Sequence, residues 1–348
     1  MIKVSNKFIG PDAPCFVAAE IGLNHNGNMD LALKTIDAAV EAGADAVKFQ
    51  NYHTEDFLLD KKLTYTYTSQ GKEITETQFE MFKRYELSFK KLKLLKEYCD
   101  QRGIIFFSTP TSKRGIDDLV KLKTPLLKNG SDFLVNLDII QDMARTGIPT
   151  IISTGMATVA EIDNAVRAFE QAGGSELIIL HCISSYPTPA DQVHLNKITS
   201  LQNTFGYPVG FSDHTWGTVS AIGAVVLGAC FIEKHFTLDK KLPGPDHRFS
   251  SDLQEFRELI KGIRTIEKNL GFAKLGPALD EEHGRKNCRL SCVINKNLPE
   301  GSIISKDDIS YSRPSGGLAP ELAYLTFNKK LNRTMYKGEQ ITLNDVGL

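Results

Sequence analysis

Two histidines in one stretch carry the first chemical signal. Between Pro208 and Ser250 the chain reads PVGFSDHTWG, then a small apolar run, then FIEKHFTLDKKLPGPDHRFS. His214 and His235 each close a short apolar run, and Thr218 to Ala229 has the small, apolar character of a packed helix. That order predicts strand, loop, helix, strand, with a histidine at each strand's C-terminal tip. Side chains alternate along a strand, so Ser212 shares a face with His214, and Glu233 shares one with His235. Parallel neighbours bring such tips to roughly 5 Å, where two imidazoles reach one metal ion at about 2.1 Å. Asp213, Glu233 and Asp246 beside them fit that reading. The alternative is a pair of hydrogen-bonded structural histidines.

Short apolar runs of the same kind recur through the chain. They are CFVAAEIG from Cys15, AVKFQ from Ala46, IIFFSTP from Ile104, LLKNGS from Leu126, TIISTG from Thr150, LIILHC from Leu177, PVGFSDH from Pro208 and FIEKHF from Phe231. Helix-like segments separate them, the first starting at an Asn28 cap and stopping at Gly43. Eight strand–helix units over about 270 residues predict an α/β fold, a TIM (β/α)8 barrel occupying 1–270. A doubly wound sheet is the alternative, but no Gly-rich dinucleotide fingerprint occurs.

In the barrel reading, Glu20, Lys48, Gln50, Thr109, Lys128, Ser131, Ser153, Ser212, His214, Glu233 and His235 all fall at C-terminal strand tips, the face where barrel enzymes work. A charge among apolar neighbours is costly unless paired or bound. Lys48 therefore predicts an ion pair with Glu20 or Glu233, a ligand contact, or both. Lysines among hydroxyl groups suit a phosphate or carboxylate. Two histidines leave coordination positions for water and a substrate oxygen, which favours an exchangeable divalent ion acting as a Lewis acid on a carbonyl. The residues thus predict a metal-assisted reaction of a carbonyl with an anionic, phosphorylated partner. A Schiff-base aldolase with Lys48 or Lys128 as nucleophile is the alternative on the same barrel.

A formal net charge of -1 gives no reason to expect nucleic acid or an anionic membrane as partner. The six cysteines are scattered without a zinc pattern, as reduced thiols of a cytoplasmic protein would be. The N-terminus lacks a signal-peptide layout, and no run of 18 apolar residues occurs. Residues 271–286 are polar and glycine-containing and read as a linker. Residues 287–348 change character and predict a small, mostly β domain. In it, LPEGSIISKDDI from Leu298 and YKGEQITLNDV from Tyr336 form a weak internal repeat. Gly301 aligns with Gly338, Ile304 with Ile341 and Asp308 with Asp345, predicting a turn, a short strand and an acidic cap each time. Between the repeats, YSRPSGGLAP presents Arg313 on a Pro/Gly loop.

The motifs EIGLNHNG, DAVKFQ, FSTP, STGM, HC followed by YPTP, GFSDHT, EKHF, GPDH and a later RP resemble, in that order, the sialic acid synthase family. The resemblance spans nearly the whole chain. It implies a TIM barrel followed by an antifreeze-like (SAF, β-clip) domain. It implies condensation of phosphoenolpyruvate (PEP) with an N-acetylmannosamine-type amino sugar, giving a nonulosonic acid and phosphate. N-acetylneuraminate is the expected product, with legionaminate or pseudaminate as alternatives. A non-catalytic sugar-binding protein is a more distant one. By motif match, His214 and His235 would hold manganese or magnesium. Lys48, Thr109, Lys128, Ser131, Ser153 and Ser212 would surround PEP, and Gln50, Tyr186 and Asp246 would face the sugar. Arg313 would reach the N-acyl region from the partner of a domain-swapped homodimer. Glu20 and Glu233 are candidates for handling the attacking water and its protons, or for orienting the lysines and histidines. Some positions depart from the pattern. KNGSDF stands where members often read KIGSGE or KIPSGE, which makes Asn129 and Asp132 unusual. Ser184 or Ser185 stands where an asparagine is common before YPTP. A polar insertion reaching Thr77 is expected to shape the sugar pocket.

Overall fold

All eight apolar runs are strands of one closed parallel barrel in the computed structural model, which describes residues 1–347. They are β1 (Phe16–Glu20), β2 (Ala46–Asn51), β3 (Ile105–Pro110), β4 (Leu127–Asn129), β5 (Thr150–Ser153), β6 (Leu177–Cys182), β7 (Val209–Asp213) and β8 (Phe231–His235). Each pairs with its sequence neighbours, and β8 closes on β1. A helix follows every strand, from Met29–Ala42 after β1 to Leu253–Leu270 after β8. The ends expected for the first helix are present. Asn28 Oδ1 accepts the Leu31 N–H at 3.2 Å, and Gly43 ends the helix at φ 88°.

Strand alternation sorts the side chains into two cores. Val17, Val47, Phe106, Ile152, Ile179, Phe211 and Ile232 point outward and pack under the helices. Phe16, Ala18, Ala46, Phe107, Ile151, Leu180 and Phe231 point inward and form a separate core. Ile2, Val4 and Ile9 belong to that inner core. They come from an N-terminal antiparallel hairpin, Ile2–Val4 with Lys7–Ile9, which closes the lower end of the barrel. Phe16 and Phe231 stack there at 5.3 Å. Close approach makes Gly210 obligatory, because a Cβ on it would meet the Phe231 carbonyl oxygen at 2.5 Å and Leu180 at 2.6 Å.

The polar insertion is a β-hairpin, Thr64–Ser69 paired with Lys72–Thr77. Its tip is tied to the loop after β8. The Gln70 side-chain amide donates to the Lys241 carbonyl at 2.9 Å, and the Gly244 N–H donates to Ser69 Oγ at 3.0 Å. Among the described residues, no helix is long and apolar enough to cross a membrane.

The chain divides into two compact units between Gly271 and Phe272. The stretch expected as a linker contains a helix, Glu282–Cys288, entered through a single 3-10 turn at Leu279–Glu281. Local polar bonds hold it rather than an apolar face: the Ala278 N–H donates to the Glu281 carboxylate at 2.6 Å. Further on, Ser291–Ile294 pairs with Ile309–Ser312 over a core that includes Cys292, Ile304, Met335 and Ile341. The internal repeat is structural. Gly301 and Gly338 turn at φ 81° and 94°, and Ile304 and Ile341 are wholly buried. The expected short strands are reduced to single bridges, Ile303 with Lys330 and Val293 with Gln340. Asp308 Oδ2 accepts from the Ser305 N–H and hydroxyl at 2.8 and 2.7 Å, and Asp345 Oδ2 accepts from the same groups of Thr342, both at 2.8 Å.

Its bond to Lys296, helped by Ser305, brings the Asp308 pKa down to about 2. A depressed carboxylate stabilises the fold above its unfolded value of about 3.9 and loses that contribution as pH falls through its folded value. Asp308→Ala should cost the second unit about 1–3 kcal/mol at pH 7, since two donors and a lysine lose their acceptor. Its difference from the parent protein should shrink between about pH 4 and pH 2. Hydrogen exchange of residues 291–347 measures both effects; a pH-independent difference would refute the charge-based account.

Candidate active site

Going up the barrel from its closed end, the inward positions change from apolar to polar. On β1 the inward series is Phe16, Ala18, Glu20; on β2 it is Ala46, Lys48, Gln50; on β8 it is Phe231, Glu233, His235. The same parity places Thr109, Lys128, Ser153, Cys182 and Ser212 inside, with His214 one residue beyond β7. Register aligns Glu20 with Lys48, His235 with Glu20, Gln50 with Thr109 and Ser212 with Glu233.

Four buried charges meet in this layer. Glu233 Oε1 accepts from Lys128 Nζ at 3.1 Å and from Ser212 Oγ at 3.0 Å. Lys48 Nζ lies 3.1 Å from Glu20 Oε1 and 3.7 Å from Glu233 Oε2, and it donates to Thr109 Oγ1 at 3.2 Å. Gln50 Nε2 donates to Glu20 Oε1 at 3.3 Å. Because β4 and β8 stand opposite each other in the ring, the Lys128–Glu233 pair spans the bore.

The two carboxylates are driven apart in acidity. Burial raises Glu233, but Lys128 and Lys48 overcome it and hold its pKa down at about 2. For Glu20 burial dominates, Lys48 offsets only part, and the Glu233 charge adds to the rise. The lysines diverge as well. Burial would lower Lys48, but its two carboxylates outweigh that and raise it. Burial prevails at Lys128 and lowers it.

Above the charged layer, the His214 and His235 rings lie 5.4 Å apart between centroids. His214 Nδ1 is 2.9 Å from the Ile183 carbonyl. A carbonyl only accepts, so Nδ1 carries the proton and the Nε2 lone pair stays free. His235 Nδ1 is buried without a hydrogen-bond partner, 3.7 Å from Asp246 Oδ2. Burial foremost holds the His235 pKa well below its ordinary value, so this ring is neutral. Tyr186 packs 4.2 Å from His214, and Phe249 packs 5.1 Å from His235. Burial foremost, with the Glu20 charge, raises Asp246 to about 7.

A third group is the hydroxyl corner beside β4 and β5. Ser131 Oγ accepts the Gly155 N–H at 3.0 Å. A Cβ on Gly155 would lie 2.3 Å from Ser184 Oγ and 2.7 Å from Ser131 Oγ, so these groups converge. The Ser153 hydroxyl is buried without a partner. Of the two serines before YPTP, Ser184 is the one at this corner; Ser185 Oγ turns back toward the Pro187 carbonyl at 3.5 Å.

Apart from Asp213, the structure therefore brings together the barrel residues expected at the site. Arg313 belongs to the second unit, on an exposed turn after Ile309–Ser312. Asp213 lies on the other side of its strand. It pairs with Lys234 at 2.7 Å and accepts the Thr215 N–H at 2.8 Å, bracing the loop that carries His214. Sequence reasoning missed Cys182, whose Sγ lies 3.9 Å from His214 Nδ1. Counting alternation onward from Ile178 and Leu180 places it on the inward face. It also missed Phe249, whose aromatic contacts no local pattern marks.

The comparisons agree with this architecture. The chain belongs to the NeuB family of nonulosonic acid synthases, matching it over residues 35–274, and residues 291–347 match the SAF domain. It is 41% identical over 345 residues to an uncharacterised protein, MJ1065, of Methanocaldococcus jannaschii, covering 99% of this chain and 98% of that one. It is 40% identical over 316 residues to the N,N'-diacetyllegionaminic acid synthase of Legionella pneumophila, covering 89% of this chain and 88% of that one. Among solved structures, the N-acetylneuraminic acid (sialic acid) synthetase of Leptospira borgpetersenii superposes with a TM-score of 0.73 at 34% identity, over 81% of this chain and 94% of that one. The expected sialic acid synthase resemblance and the barrel–SAF architecture are thus borne out.

Removing one member of the buried network should leave the others uncompensated. Glu233→Ala strips Lys128 and Ser212 of their acceptor and Lys48 of one of its carboxylates. A loss of about 3–5 kcal/mol in urea unfolding is expected, as for other broken buried pairs. A loss below about 1 kcal/mol would mean that Glu233 is not a counter-ion.

Proposed function

We propose that this protein condenses PEP with the open-chain aldehyde of a 2-acetamido hexose, giving a nonulosonic acid and phosphate. The observation that supports it most is a pair of buried lysines among inward hydroxyls, directly below two histidines with free ring nitrogens. Lys48 and Lys128, with Thr109, Ser131, Ser153 and Ser212, would bind the PEP phosphate and carboxylate through charge-assisted bonds. Gln50, Tyr186 and Asp246 would face the sugar. His214 and His235 suit a divalent ion: one ring has its Nε2 freed by a carbonyl bond, and the other is neutral with an orphaned Nδ1. Among the described residues, no group of three or more His, Cys, Asp or Glu stands ready to hold a metal, so other positions would fall to water and substrate. Manganese or magnesium bound there would polarise the aldehyde oxygen.

In the reaction, PEP C3 bonds to the aldehyde carbon, water adds at C2, and the C2–O bond to phosphate breaks. Glu233 is committed to Lys128 and Ser212 and serves as their counter-ion. Glu20 has its Oε2 buried without a partner, so it is the carboxylate placed to take a proton from the attacking water. Lys48, held charged between two carboxylates, is a poor Schiff-base nucleophile.

The identity of the sugar rests on similarity. N-acetylmannosamine would give N-acetylneuraminate, the product in the name of the Leptospira protein. A 2,4-diacetamido-6-deoxy hexose would give legionaminate, and the higher identity to the Legionella enzyme favours it. The test is phosphate release from PEP with a panel of both sugars. Chelation should abolish it, and manganese or magnesium should restore it. Calorimetry should show manganese binding in the parent protein and a loss in His214→Ala. Phosphate release by thoroughly metal-free protein, or none with any sugar, would defeat the proposal. A borohydride-trapped adduct on Lys48 or Lys128 would favour the aldolase.

The site would be completed by Arg313 from a second copy. Phe272, Leu275 and Leu279 are 97%, 97% and 93% exposed, an apolar run that a partner would cover. In a closed dimer each contact occurs twice. Arg313→Ala and His235→Ala chains, each weak alone, should regain clear activity when refolded together. Proven heterodimers no better than their parents would place Arg313 in its own barrel's service, or in none.

A further inference from the structure

Two motifs at the barrel mouth hold more than the proposed reaction uses. Of EIGLNHNG it takes only Glu20, and of GPDH only Asp246. The loop after β8 leaves the barrel at Phe236 and returns at Ser251. There a bridge between the two, and a Thr237 N–H bond to the Ser251 carbonyl at 3.0 Å, close it. Near its return the loop presents two groups to one ring. The Asp246 carboxyl is 3.7 Å from His235 Nδ1, and Phe249 packs 5.1 Å from the same imidazole. His247, between them in sequence, is wholly buried and bonds elsewhere.

The His247 imidazole joins two loops. Nδ1 lies 2.7 Å from Thr237 Oγ1, at the start of its own loop, and Nε2 lies 3.2 Å from Asn26 Oδ1, in the loop after β1. The Asn26 amide nitrogen donates to the Pro243 carbonyl at 2.8 Å, which leaves its oxygen to accept. His247 therefore carries its proton on Nε2 and accepts the Thr237 hydroxyl at Nδ1. Burial brings its pKa down to about 4, which keeps the ring in this neutral form. Gly244 gives it room: a Cβ there would meet the imidazole at 2.9 Å and Asn26 Oδ1 at 3.1 Å. A second tie lies in the same loop pair. The Asn24 amide donates to the Phe236 carbonyl at 2.9 Å and to Ser250 Oγ at 2.8 Å, and that hydroxyl donates to the Asp246 carbonyl at 2.7 Å. Bonds from the β1 loop thus fix the chain on both sides of Asp246.

We propose that His247 is a positioning residue: locked between Thr237 and Asn26, it holds the returning chain so that Asp246 and Phe249 stay against His235. The assignment rests on the PEP-condensing reading above, in which Asp246 faces the sugar. It gives Asn26 the same duty from the opposite loop.

The test is steady-state kinetics of His247→Ala, His247→Gln and Asn26→Gly with PEP and the preferred sugar of the panel. Asn26→Gly is also measured in an Asp246→Asn background. Asn26 is partly exposed and sits at φ 51°, a conformation that glycine adopts freely, so Asn26→Gly carries the test if the His247 variants do not fold. His247→Ala and Asn26→Gly should each raise the sugar KM about fivefold or more, while the PEP KM stays within about twofold. His247→Gln keeps an N–H that can reach Asn26, so it should recover most of the loss. In the Asp246→Asn background, Asn26→Gly should change the sugar kcat/KM by less than about twofold, because the group it helps to place is already altered. A merely structural role would move both substrates alike and add to the Asp246→Asn defect. An unchanged sugar KM, a PEP KM that rises in step with it, or full additivity with Asp246→Asn would overturn the assignment and leave the reaction standing. A parent protein inert with every sugar would overturn both.

Discussion

The structure depends on placing four charges inside a barrel whose bore is otherwise hydrocarbon. An isolated ammonium or carboxylate at that depth would be severely destabilising, so each must find its complement within reach. Glu233 supplies most of the solution, accepting from Lys128 and Ser212 on one oxygen while the other faces Lys48. This requires β4 and β8, opposite in the ring, to stand at a fixed separation, and it requires parallel register to hold Ser212 beside Glu233. The apolar floor below and the aromatic wall above therefore flank a layer that fixes the barrel's diameter as well as its chemistry.

Much of this was legible in the sequence, for a physical reason. Each barrel strand is buried on both faces, so it reads as an apolar run, and a polar residue at its end is conspicuous. Lys48 was expected to pair with Glu20 or Glu233, and it approaches both. The repeat in the second unit was legible because its parts are local: a glycine turn, one buried isoleucine, and an aspartate three residues after a hydroxyl. The insertion was not legible as a hairpin, because its alternation is of Thr, Tyr and Lys and no face is apolar. The helix at Glu282–Cys288 escaped for the same reason. Phe249 escaped because its place beside His235 is set by tertiary contact.

The charged layer also divides labour between like residues. Glu20 and Glu233 are both buried glutamates on neighbouring strands, yet one is held strongly acidic and the other is pushed toward its neutral form. Two environments a few ångströms apart thereby make one carboxylate a fixed counter-ion and, under the proposed reaction, would leave the other to carry a proton. Lys48 and Lys128 differ in the same way.

The N-terminal hairpin has a kinetic consequence. Ile2, Val4 and Ile9 seal the bore beneath the stacked Phe16 and Phe231, so the charged layer has a single entrance. Whatever binds against Lys48 and Lys128 must arrive before the mouth above them fills. Under the proposed reaction PEP would therefore load first and the sugar second, giving a compulsory binding sequence imposed by a blind-ended chamber. The inorganic phosphate formed at the bottom would leave only after the sugar acid above it had gone. Turnover would then be paced by departure through that one opening, however fast the bond making below.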